Sequence, residues 1–333
     1  MSGFDISRFD SEGISVLRLS GFLDAHTVPK FEEALQNLIG GYNRLSAGDA
    51  VLYADLDYDS MQYAMDWLQQ RRGVDVITIS LPEPASRQGV IDAYAAALEA
   101  NPRVKLILLT HLSHRTGLVI PVADIVALAQ SRGADVIVDA AHSWGQMDFK
   151  ARDLNAPFIG FNLHKWIGAP LGVGVMYIAR DRLGDIDAFM ADADYRPDDT
   201  RSRVHSGTTN FAAFLTVPTA LDFNATLGLA YKEARLRWLR DRWVEGLLEI
   251  GGIEILTPED PSMHAGITSF RLKGLVTRDE NIALVQRLLD EYNIYTVHRT
   301  GVQAGACVRV TPALFTTEDD VLALQNALTQ IAA

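Results

Sequence analysis

The chain has 333 residues, 48% apolar and 22% charged, which is material for about two folded domains and too apolar for a disordered chain. Its formal net charge of −12 argues against nucleic acid or an anionic membrane as partner, though not against local basic sites for small anions. A single cysteine, Cys307, rules out an internal disulfide; with a polar opening unlike a signal peptide and no apolar run long enough for a bilayer, it leads us to expect a cytoplasmic protein.

Taken in order, the chain falls into three zones. In residues 1–33, "GISVLRLSG" alternates as a strand does. "DAHTVPKFEEALQNLIGG" then reads as a helix, with Thr27 as N-cap, Pro29 in the first turn, Glu32 and Glu33 at the positive end, and Gly40-Gly41 as the stop. Residues 34–225 repeat a strand-helix rhythm. The expected strands are "AVLYA", "VDVITIS", "VKLILLT", "ADVIVD", "PFIGF" and "GVGVMYI", with helices such as "SMQYAMDWLQQRR" and "VADIVALAQSRG" between several of them. Short Val/Ile/Leu runs spaced by helices predict an α/β domain, a mostly parallel sheet covered on both faces, with ligands at the carboxyl ends of its strands. Residues 226–333 begin with a long helix, "LAYKEARLRWLRDRWVEGLLEIG". The strands "GIEIL", "GITSFRL", "NIYTVH" and "CVRVTP" and two more helices follow, predicting a small α+β domain.

Two charged residues stand out against apolar surroundings. Asp139 closes the run "VIVD", where it serves either as a helix N-cap or as a functional carboxylate. Lys165 lies in "FNLHKWIGAP", just beyond the next expected strand, where burying an ammonium is costly unless it is paired or neutral. Both can therefore reach one crevice. They form either a simple ion pair or the two poles of a pyridoxal phosphate (PLP) site, in which the lysine is neutral as an imine and the aspartate holds a proton on the pyridine nitrogen. His142, three residues past Asp139, is either structural or part of that site. "GVG" at 172–174 is too short for a dinucleotide fingerprint.

The stretch "VIVDAAHSWGQMDFKARDLNAPFIGFNLHKWIGAPLGVGVMYI" resembles the signature region of the class V aminotransferases, PLP-dependent enzymes of fold type I. Within that class the chain is most similar to the isopenicillin N epimerase-like branch, related to cysteine desulfurases, and the resemblance runs from about Glu33 to the C-terminus. It implies the fold type I transferase architecture and a homodimer with shared sites. It makes Lys165 the Schiff-base lysine, Asp139 the partner of the ring nitrogen and His142 a neighbour of the ring oxygen. Tyr58 falls where relatives stack an aromatic or His on the ring; a core tyrosine is the other reading. His114 stands where many relatives carry Asn. Asn162 and His164 lie where phosphate contacts are expected, and Thr208 and Thr209, in "HSGTTN", match a segment reaching the neighbouring subunit's phosphate. Arg309 matches the arginine that grips the substrate α-carboxylate, for which a planar fork is suited, and Arg299 is a second anion-binding candidate. Desulfurases carry a nucleophilic cysteine after an "RTG"-like turn; "RTGVQAGA" has none, and Cys307 is expected to be buried and inert. The implied activity is aminotransferase, epimerase or C–S lyase chemistry on a small amino acid.

The N-terminus departs from the family. A small-residue turn that holds the cofactor phosphate is expected to open the first helix, and here "DAHTVPKFE" stands instead, with Pro29 lacking an N–H. "ISVLRLSGFLDAHTVPKFEEALQNLI" instead resembles the strand-turn-helix start of a STAS domain, the anti-anti-sigma-factor type. The expectation is a rearranged or chimeric chain whose STAS-like strand adds to the large sheet, with weakened PLP binding. The rival reading is a chimeric scaffold without catalysis.

Overall fold

Two strands, β1 (Asp5–Ser11) and β2 (Ile14–Ser20), open the described chain and pair antiparallel with each other. The computed structural model describes residues 5–11, 14–20, 33–189, 193–204 and 211–332. Thr27 and Pro29, expected at the start of the first helix, lie outside the described residues, as do Thr208 and Thr209. The expectation that the N-terminal strand adds to the large sheet is corrected: β1 and β2 form a two-stranded sheet of their own. Ser11 faces Ile14, so the pairing closes over a very short connection, which costs little chain entropy compared with docking on a distant edge.

The main body begins with α1 (Glu33–Gly41), β3 (Ala50–Ala54), α2 (Asp59–Arg72), β4 (Asp75–Ile79), α3 (Arg87–Ala100) and β5 (Val104–Thr110). It continues through α4 (Val122–Ser131), β6 (Asp135–Asp139), β7 (Phe158–Asn162) and β8 (Gly174–Ile178). The six strands lie in the order β4-β3-β5-β6-β7-β8 and pair in parallel except for β8, which runs antiparallel to β7. Successive strand residues point to opposite faces. Val51, Leu106, Leu108, Ile137 and Phe158 therefore pack with Leu38 and Ile39 of α1 and Met61 and Met65 of α2. Their neighbours Leu52, Ile107, Leu109, Val138 and Ile159 pack on the other face with Val90 and Tyr94 of α3 and Ile125 and Val126 of α4. Gly160 lets α1 press onto β7, since a Cβ there would sit 2.4 Å from Leu35 Cδ1.

After α5 (Phe211–Leu215) and α6 (Val217–Leu227), α7 (Leu229–Val244) leads to a second sheet. Its strands are β9 (Ile253–Ile255), β10 (Thr268–Leu272), β11 (Val297–Arg299) and β12 (Cys307–Val310), antiparallel in the order β11-β12-β10-β9. α8 (Arg278–Tyr292) lies between β10 and β11, and α9 (Glu318–Ala332) follows β12. Trp243, Phe270, Leu288, Val308 and Leu324 form the core beneath this sheet. No helix among the described residues is long and apolar enough to cross a membrane.

Candidate active site

β3 leads to β4 on one side and its neighbour β5 leads to β6 on the other, so the connections leaving their carboxyl ends diverge and open a crevice there. Six loops or strand ends meet around it. The turn after β3 carries Asp57 and Tyr58, the loop after β5 carries His111, His114 and Arg115, and β6 ends in Asp139 with His142 beyond it. Lys165 sits in the turn after β7, and β11 and β12 bring Arg299 and Arg309 from the second sheet. Asp139 lies opposite Gly160 in the parallel β6–β7 pair, which places the aspartate and the lysine turn on adjacent strands.

The geometry ties these groups to one centre. Lys165 Nζ lies 5.8 Å from the Tyr58 ring centroid, and the Tyr58 ring meets His114 edge-on at 5.0 Å. The His114 and His142 rings are nearly parallel, 17° apart in plane and 6.5 Å between centroids. Trp166 Nε1 donates to His142 Nδ1 at 3.3 Å, so a neutral His142 carries its proton on Nε2. Asp139 is buried, and one of its oxygens accepts the Ala141 N–H at 2.8 Å, so the capping and functional readings of this carboxylate are compatible.

Burial and clustered cations set the protonation states. Burial pulls the His142 imidazole well below its ordinary value, and Lys165 and Arg309 pull it further. His114 goes the same way, from burial and then Arg115, Arg299 and Arg309. Both rings are therefore neutral at working pH. Burial and Lys165 take His164 down to about 4, and Asn162 is buried at the end of β7. Burial, with Arg299 next, lowers Arg309 to about 9. Arg309 Nη1 donates to the His114 carbonyl at 2.8 Å.

The lysine turn is pinned from behind. Asn224 Nδ2 donates to the Ile167 carbonyl at 2.8 Å, and buried Lys232 donates to the Trp166 carbonyl and to Asn224 Oδ1, the latter at 2.9 Å. Gly145, at φ 80°, admits the turn closely, since a Cβ there would lie 3.0 Å from the Trp166 carbonyl carbon. Gln146 ties the His142 turn to the second half of the chain: it donates to the His142 carbonyl and accepts from Gly266 N, both at 2.9 Å.

The aminotransferase class-V family model matches residues 31–324. The chain belongs to that family. It is 30% identical over 340 residues to the isopenicillin N epimerase of Amycolatopsis lactamdurans, covering 95% of this chain and 83% of that protein. The isopenicillin N epimerase of Streptomyces clavuligerus is 29% identical over 312 residues, covering 89% of this chain and 77% of that one. Among solved structures, the apo cysteine desulfurase of Thermococcus onnurineus NA1 superposes with a TM-score of 0.75 at 20% identity, over 91% of this chain and 78% of that one, and so shares the fold.

As a class V aminotransferase the chain is a PLP-dependent enzyme, and the residues present fit the cofactor's ring end. A lysine, a buried strand-end carboxylate and an aromatic ring surround a centre where His114 Nδ1 is buried without a partner. The sequence singled out Lys165, Asp139, Tyr58, His114, His142, Arg299 and Arg309, and all seven converge. Cys307 is fully buried, and burial pushes its thiol up to about 11, in line with an inert role. Sequence reasoning passed over Asp57, Arg115, Gln146, Asn224 and Lys232. Asp57 had a signal, since it follows a buried strand as Asp139 does. Lys232, in "YKEAR", reads like any solvated helix lysine.

Proposed function

We propose that this enzyme acts on a small amino acid through PLP attached to Lys165. The observation that carries this reading is the meeting of Lys165, Asp139, Tyr58, His114 and His142 at the carboxyl ends of adjacent strands, facing Arg309 from the second sheet. Bound PLP supplies an electron sink for charge developing at the substrate Cα. Arg309 grips the α-carboxylate, and Asp139 holds a proton on the ring nitrogen. Once released, the Lys165 amine would take the Cα proton; its delivery to another carbon would give transamination, whereas inversion at Cα would need a proton donated from the opposite face. Neutral His142, its ring oriented by Trp166, offers an N–H to the ring oxygen, and Tyr58 covers one face. Asn162 and His164 contribute to the phosphate site. Side-chain chemistry that needs a cysteine nucleophile is disfavoured, because Cys307 is buried beneath the Arg115 carbonyl. Racemisation or epimerisation at Cα, transamination and direct C–S lysis remain within the reach of these groups.

The reading includes a large unit over 34–225 and a small one over 226–333, and a cytoplasmic homodimer in which Thr208 and Thr209 reach the neighbouring subunit's phosphate. Exposed Phe211, Phe214, Leu215 and Phe223 on α5 and α6, just after that segment, support an apolar face covered by a second copy. Light scattering on the full chain tests it, and a monomer at all concentrations would refute it. The non-catalytic chimeric scaffold is disfavoured, because so many charged groups would be held around one crevice to no purpose.

Adding PLP to the protein tests the main reading. A visible absorption band that borohydride bleaches, with the label recovered on the Lys165 peptide, is the expected result. No band, or a band that persists in Lys165→Ala, rejects it.

A further inference from the structure

The face of the second sheet turned toward the site carries three arginines. In the β11–β12 register Val297 faces Arg309 and Arg299 faces Cys307, and in β10–β12 Ser269 faces Arg309. Because side chains alternate, Arg299, Arg309, Ser269 and Arg271 share that face. It packs on the loop after β5: Ser269 Oγ donates to the Arg115 carbonyl at 2.6 Å, and Arg309 to that of His114. Arg115, projecting from that loop, adds a fourth guanidinium.

The four differ in how their charge is met. Arg271 pairs with Glu83 at 2.5 Å and Glu254 at 3.4 Å, and Arg115 pairs with Asp59. Among the described residues no carboxylate pairs with Arg299 or Arg309. Arg309 has the His114 carbonyl, Arg299 meets only the carbonyl of its neighbour His298 at 3.4 Å, and the Nε of each is buried without a partner. Two half-buried cations, diagonal neighbours on one sheet face and roughly 7–8 Å apart, are costly until anions reach them. A single α-carboxylate satisfies one of them.

We infer that the substrate carries a second acidic group on its side chain, with Arg309 taking the α-carboxylate and Arg299 the side-chain acid. The inference rests on the amino-acid reading of the site given above and narrows it to acidic amino acids. The net negative charge of the remaining surface makes these arginines a local positive focus, and a doubly anionic ligand gains from both forks at once.

The test compares glutarate and succinate with butyrate at constant ionic strength. Calorimetry and the visible band of the PLP-loaded enzyme report binding. The native enzyme is expected to bind the better dicarboxylate about tenfold or more tightly than butyrate, a step of about 1.4 kcal/mol. Arg299→Gln should erase that preference and leave butyrate affinity within about twofold, whereas Arg309→Gln should weaken both ligands. Arg299→Lys, which keeps the charge without the fork, should retain part of the preference and so separates lost recognition from a folding defect. Equal affinities for dicarboxylate and butyrate in the native enzyme overturn the inference. So does an Arg299→Gln variant that loses PLP affinity but keeps the dicarboxylate preference, because the guanidinium then serves the cofactor phosphate. If no band forms with PLP, the cofactor reading fails instead, and calorimetry on the protein alone still decides the arginine pair.

Discussion

The Lys232 ammonium donates to the backbone carbonyl of Trp166, the residue next to Lys165. Helix α7 thereby holds the turn that carries Lys165, through a buried charge satisfied by carbonyl oxygens. Lys232→Met would leave the Trp166 carbonyl and Asn224 Oδ1 each short of a donor, at about 1–3 kcal/mol for a buried group. We expect the melting temperature to fall by roughly 3–10 °C, as read by calorimetry. An unchanged melting temperature would mean that the contact holds nothing in place.

Asp57 is the buried carboxyl next to Asp139. Both its oxygens accept backbone N–H groups, from Thr110 at 2.8 Å and Ala54 at 2.7 Å. Burial nevertheless pushes it up from 3.8 to about 7, and the charge on Asp139 adds to the rise. The folded chain thus keeps a proton that the unfolded chain releases above about pH 4. The stabilisation from this group is complete below that pH and is lost as pH rises through about 7. Asp57→Asn cannot titrate, and it loses one acceptor at every pH. Urea midpoints between pH 4.5 and 7.5 should therefore slope less in the variant than in the native protein, and parallel slopes would contradict the assignment.

Gly117 and Gly168 both have positive φ, 84° and 77°, and differ in their surroundings. A Cβ on Gly117 would lie 2.1 Å from the Ile267 carbonyl oxygen, whereas nothing lies within 4 Å at Gly168. Gly168→Ala should cost about 1–2 kcal/mol of backbone strain. Gly117→Ala must also force the loop after β5 off β10, and soluble yield should collapse or stability drop well beyond that figure. Denaturation of both variants side by side checks the difference.

Cys307 should react with a thiol-specific disulfide reagent only as fast as the protein unfolds, because its side chain is fully buried and its thiol sits near 11. Cys307→Ala should retain turnover on whichever amino acid proves to be the substrate, at a stability cost of about 1 kcal/mol for a small cavity. Rapid labelling in the native state, or loss of turnover in the variant with its fold intact, would restore a sulfur-transfer role.

Much of the fold was legible because it follows from local pattern. "AVLYA" and "VKLILLT" are β3 and β5 residue for residue, since short apolar runs between helices have few other uses in a sheet covered on both faces. Lys165 and Asp139 were legible because charge in an apolar run needs a reason. Other elements escaped. No helix was foreseen over Arg87–Ala100, and β11 keeps only Val297–Arg299 of "NIYTVH". The N-terminal strand paired with its own neighbour and not with the large sheet, because strand propensity says nothing about which edge a strand meets.

The sequence by itself determined most of the strand order, the mostly parallel large sheet and the lysine and aspartate at the ends of neighbouring strands, since periodicity and burial are written along the chain. Only the tertiary structure decided which charges are met. Arg271 and Arg309 look alike in sequence, yet one finds Glu83, 188 residues away, and the other finds a carbonyl and leaves its Nε unsatisfied. A guanidinium's partner is fixed by distances of a few ångströms in space between segments remote in the chain, and no local pattern carries that information.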